Sequence, residues 1–177
     1  GSVLRQKAVL VSYIDPEFDE LCQIIAQRMG IKQEVTLKFY MTNDEEYDKY
    51  VSAYYHVKSK AIYFNYKAHA HFFKKNYCNF ALILKTIVHE FEHYRQFNSY
   101  DGSYHGKNIR LLEAGADAAA AGFFDCYDCL YICWLNNDRE DDREGYFSKS
   151  DYDCYVSSLL ENKKICAVVS GGNIDVT

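Results

Sequence analysis

The sequence predicts an α+β protein, and three observations lead there. Short alternating stretches rich in β-branched and aromatic residues occupy the first 66 positions, helical periodicity takes over afterward, and neither a repeat nor a linker divides the two. At roughly 100–200 residues per domain, a chain of 177 residues reads as a single domain, 1–177, with room for a full core. The expected arrangement is a small N-terminal β-sheet, a helix carrying the chemistry and a second helix completing it.

Residues 9–14 read as a first strand. Pro16 opens an amphipathic helix through Phe18, Leu21, Ile24, Ile25 and Met29, with proline in its first turn and Gly30 as its stop. Residues 35–42 alternate as a second strand, and 53–66 form a β-hairpin turning at Lys58-Ser59-Lys60. Helices follow at 68–75, 79–98 and 107–124, with Gly102 and Gly106 punctuating the loop between the last two. Beyond Cys126 the pattern fades: 127–135 and 151–165 read as helices, and the charged stretch 136–150 as a solvated loop.

With 20 Lys plus Arg against 25 Asp plus Glu, the net charge is −5, which argues against non-specific binding of nucleic acid. The longest apolar stretch, 80–88, is broken by Lys85 and Thr86 and falls short of the about 20 residues a membrane span needs. Neither a nucleic acid nor a membrane is therefore an expected partner. Seven cysteines, an odd number spread from 22 to 166, do not form the paired framework of a small secreted domain, so reduced thiols in a cytoplasmic compartment are expected. Cys126, Cys129 and Cys133 would share a helical face as buried free thiols. Gly1-Ser2 reads as a cloning scar.

Charge is unevenly divided. From Lys49 through His89 there are seven lysines (49, 58, 60, 67, 74, 75 and 85) and no acidic residue. A solvated basic face is the plain reading, and a preference for acidic ligands the sharper one.

The sharpest motif is His89-Glu90-Phe91-Glu92-His93. On a helix, i and i+4 stand one turn apart on one face, so both imidazoles can bind one ion while Glu90 is placed as a general base. Zinc suits this donor set, because with three protein ligands it keeps a position for water and lowers that water's pKa to about 7. At 100° per residue with His89 at zero, His93 falls near 40°, whereas Phe80, Ile83, Leu84, Ile87, Phe91, Tyr94 and Asn98 cluster around 180°. The histidines face away from the apolar stripe, as ligands lining a cleft would.

Glu113, 20 residues beyond His93, is the expected third ligand. It lies in Leu112-Glu113-Ala114-Gly115-Ala116-Asp117, where Asp117, one turn on, is placed to accept the second ring proton of a liganding histidine. The small residues around it let the two helices approach closely. Standing alone, this would be an alanine-rich helix with two solvated acids.

Together these motifs resemble the zinc-dependent metallopeptidases of the gluzincin type, with the histidine-to-glutamate spacing of thermolysin-like enzymes, over about residues 80–124. The resemblance implies a zincin-like fold, zinc held by His89, His93 and Glu113, Glu90 as the catalytic base and Asp117 behind a ligand. It implies hydrolysis of a peptide or protein substrate. Metzincins and SprT-type proteases take a further histidine soon after the motif, and Tyr94-Arg95-Gln96-Phe97-Asn98-Ser99 has none. Regulatory peptidases of the ImmA/IrrE type share a related element, and a zinc-binding sensor or interaction protein that does not cleave is the other alternative.

Tyr104 and His105, between the ligand helices, are candidate catalytic donors to the oxyanion or else ordinary loop residues. The strand 60–66 is a candidate to pair with an extended peptide beside the cleft, as in zincins, or else simply one strand of the sheet. The neighbouring lysines suggest tolerance for acidic residues near the scissile bond.

Overall fold

The computed structural model describes residues 8–98, 108–127 and 147–162. Among them are four strands and six helices, a mixed α+β architecture: β1 (Val9–Val11), α1 (Pro16–Arg28), β2 (Thr36–Met41), α2 (Glu45–Tyr50), β3 (Ala53–His56), β4 (Ala61–Asn65), α3 (Tyr66–Phe73), α4 (Phe80–Asn98), α5 (Ile109–Tyr127) and α6 (Lys149–Leu160).

Local chemistry sets the element ends. The Asp15 carboxylate accepts from the Phe18 amide at 3.0 Å, Pro16 supplies a preset first turn, and Gly30 leaves α1 with φ +78°. At α6, Ser148 and Asp151 cap each other's backbone N–H groups reciprocally.

The sheet order is β1-β2-β4-β3. β2 and β4 are parallel, Phe39 standing opposite Phe64, while β1 and β3 pair antiparallel on the outside. Between β2 and β4 the chain goes out through α2, returns as edge strand β3 and turns into β4. This corrects one expectation. The strand 60–66 has both backbone edges taken by β2 and β3, so it cannot receive a peptide; β3 is the terminal strand.

One face of the sheet meets α1, α3 and α4 around an aromatic cluster. The Phe18 ring presents edge contacts to Phe39, Phe64 and Phe72 at 5.4, 5.0 and 5.7 Å. All four rings are essentially buried, and truncating one to alanine costs about 3–5 kcal/mol. His69 sits in this cluster as a satisfied core residue, its Nδ1 3.0 Å from the Asn65 carbonyl.

α2 has no counterpart in the sequence reading. It buries no residue and is held by polar bonds. Asp48 accepts from Thr42 Oγ1 at 2.8 Å and from Asn65 Nδ2 at 2.9 Å, and Asn65 also donates to the Val51 carbonyl. Burial alone would raise the Asp48 carboxyl, but these donors and Lys67 outweigh it and hold the group below its usual range.

Of the expected helices, 127–135 lies outside the described residues apart from its first position, which ends α5, and 151–165 appears as α6. The segment 136–150 lies largely outside them too. Among the described residues no helix is long and apolar enough to cross a membrane. Cys22 and Cys78 are free thiols, and Cys129 and Cys133 fall outside the described residues.

Candidate metal centre

α4 and α5 form the most extensive pair among the described helices, and small residues make the closeness attainable. Ala116 and Ala120 are buried, and a Cβ on Gly115 would stand 2.9 Å from the Gln96 amide nitrogen. Glycine inside a helix costs about 1 kcal/mol relative to alanine, and here it leaves the Gln96 amide its room.

Across that contact the acidic side chains of α5 meet the histidines of α4. Glu113 Oε1 lies 3.2 Å from His89 Nε2, and its Oε2 lies 2.8 Å from His93 Nε2. The two rings are nearly perpendicular, with centroids 4.7 Å apart. Behind them, Asp117 Oδ1 is 3.0 Å from His89 Nδ1. A carboxylate accepts only, so this contact places a proton on Nδ1 and leaves His89 Nε2 directed at Glu113.

His89, His93 and Glu113 could hold a metal ion, since each offers a ligand atom within 4.8 Å of the others. Zinc bonds of about 2.0–2.2 Å at tetrahedral angles put neighbouring donors roughly 3.3 Å apart. The His89–Glu113 contact already has that spacing, and the His93–Glu113 contact is within roughly half an ångström of it. Two nitrogens and a carboxylate suit zinc among the common divalent ions, although the donor set does not single it out.

Glu90 is 6% exposed and its Oε1 has no hydrogen-bond partner among the described residues. Such a buried, unsatisfied atom costs about 1–3 kcal/mol. Desolvation, reinforced by the Glu113 carboxylate, pushes the Glu90 carboxyl up to about 8.

Glu90 lines a cleft of about 590 Å³ whose floor includes His89, His93 and Glu113. The opposite wall is aromatic: Tyr47 and Tyr50 come from α2, and Tyr54 and Tyr55 from β3. β3 is fastened along α4, where Tyr55 stacks on Phe97 and its hydroxyl accepts from Asn98 Nδ2 at 2.7 Å. Among the described residues lining the cleft there is no lysine or arginine. Lys67 and Lys75 are instead paired with Asp48 and with Asp15 and Glu17.

The structure thus brings together five of the seven residues singled out from sequence: His89, Glu90, His93, Glu113 and Asp117. Tyr104 and His105 lie outside the described residues. The helical wheel is right about the apolar stripe but incomplete, because His93, Glu92 and Gln96 are buried as well, α5 covering part of that face. Sequence reasoning missed Gln96, whose Oε1 stands 2.8 Å from His93 Nδ1. The wheel carried the signal: seven residues beyond His89 falls at 340°, on the ligand face.

No family model matches the chain, and no curated protein or solved structure matches it either.

Proposed function

We propose that the protein is a zinc-dependent peptidase with a zincin-like arrangement, in which His89, His93 and Glu113 hold the metal and Glu90 is the general base. The observation that carries the reading is the position of Glu90. A buried carboxylate with an unpaired oxygen, on the wall of a cleft and beside three convergent ligands, serves no purpose in a merely structural site and is costly there.

When bound, zinc supplies Lewis acidity toward a carbonyl and a water molecule. Glu90 takes the proton of the attacking water and returns it to the departing amine. Asp117 keeps His89 Nε2 free to act as a ligand. The exposed edge of β3 is the strand to which an extended peptide would add by main-chain pairing. With two carboxylates and no cation among its described lining, the cleft suits neutral aromatic or aliphatic side chains. The acidic preference suggested by the lysine-rich stretch gains no support there.

The test pairs zinc titration with cleavage of a peptide library by the wild type and Glu90→Gln. Zinc uptake by both with cleavage by the wild type alone is the expected result. Equal cleavage by the two, or none by either, would remove the peptidase reading.

A further inference from the structure

We propose that Gln96 is a positioning residue for the metal centre, and that its amide, oriented by the backbone of α5, selects which nitrogen of His93 is free to bind metal. The inference rests on the metal-centre reading above.

The orientation follows from donor and acceptor logic. Gln96 is fully buried, and one end of its amide lies 3.0 Å from the Leu112 carbonyl oxygen. A carbonyl only accepts, so that end must be the NH₂ group. The other end, Oε1, is then the one 2.8 Å from His93 Nδ1. Oε1 also only accepts, so Nδ1 carries a proton. An imidazole that ligates a metal is neutral with one ring proton, so with that proton held on Nδ1 the lone pair offered to an ion is that of Nε2, the atom that faces Glu113 at 2.8 Å.

Two further features fit a positioning role. Leu112 immediately precedes Glu113, so Gln96 ties the orientation of one ligand to the backbone that presents another. Gly115 supplies the space: with any side chain there, a Cβ would sit 2.9 Å from Gln96 Nε2. The two histidines are therefore held by different means. The exposed carboxylate of Asp117 serves the less buried ring, and a neutral amide serves the more buried one, which avoids burying another charge.

The test titrates zinc against a competing chelator for the wild type, Gln96→Leu and Gly115→Ala, and records nitrogen-resolved proton spectra of the zinc-loaded histidines. The wild type is expected to show an exchange-protected Nδ1–H on His93. Gln96→Leu should lose that signal and bind zinc about 10–100-fold more weakly, the usual effect of removing a ligand's supporting partner. Gly115→Ala, which leaves every ligand in place, should weaken binding in the same direction by a smaller factor.

Zinc affinity of Gln96→Leu within about twofold of wild type would overturn the proposal, since loss of a supporting partner costs more. Should Gln96→Leu fail to fold, the wild-type spectrum still decides, because absence of a protected Nδ1–H on His93 refutes the assignment. A wild type that takes up no zinc removes the metal centre itself. Normal zinc uptake with an unaltered Gln96→Leu removes only the role of Gln96.

Discussion

The imidazole of His89 and the carboxylate of Asp117 meet between the two ligand helices, Nδ1 to Oδ1 at 3.0 Å. The contact couples α4 to α5 through an exposed acid, so its contribution to folding is small while its effect on ligand orientation is direct. Asp117→Ala is expected to weaken zinc binding by about 10-fold or more with little change in thermal midpoint. Chelator competition alongside a melting curve checks both, and a large fall in the midpoint without a change in affinity contradicts it.

Glu113 supplies an oxygen to both histidines and is half exposed. Glu113→Ala should lower zinc affinity by roughly 100-fold or more, since it removes one of the three proposed ligands rather than a supporting contact. Unchanged metal content after dialysis against a weak chelator would show that the third ligand lies elsewhere.

Glu90 gives the metal-free protein a distinctive pH response. Its carboxyl is raised from 4.5 to about 8 by desolvation and by Glu113. Between those values the native state retains a proton that the unfolded chain has lost. Stability is therefore full below the unfolded value and declines as pH rises toward 8, by on the order of 5 kcal/mol. Glu90→Gln cannot titrate, so in chelator its stability should stay flatter across pH 5–8.5. Parallel denaturation curves for the two proteins would contradict the assignment.

His69 acts in the opposite direction. Desolvation lowers it from 6.5 to about 4, so the native ring stays neutral where the unfolded one charges. Its contribution is present above pH 6.5 and lost as pH falls toward 4, on the order of 3 kcal/mol in all. His69→Asn, which keeps a donor for the Asn65 carbonyl, should be less stable at neutral pH and show a weaker acid slope. Urea midpoints at pH 4.5 and 7 measure the difference.

Much of this was legible from sequence wherever the information is local. Pro16 and Gly30 bracket α1, and alternation around Lys58-Ser59-Lys60 marks the hairpin. Helical spacing brings His89 and His93 together, and small residues on α5 foreshadow its close approach. What escaped depends on non-local pairing. Alternation cannot say which strand of a hairpin joins β2, so it does not tell that β3 rather than β4 lies at the edge of the described sheet. α2 escaped because it buries nothing, and only its Asp44 cap and acidic first turn mark it. Gln96 escaped because a glutamine on the ligand face reads as a solvated residue until α5 is laid over it.

The wall and the floor of the cleft are built to different standards of permanence. α4 is embedded in the core and α5 packs one face against it, whereas α2, which contributes Tyr47 and Tyr50, is attached through a handful of polar bonds centred on Asp48 and Asn65 and through the contact of Tyr47 with Tyr40. Such bonds contribute about 1 kcal/mol each, so detaching α2 costs far less than unfolding the protein. Amide hydrogens in 45–50 should therefore exchange with solvent well before those of α4. Release of α2 would thus widen the mouth of the cleft while α4 and α5 remain in register.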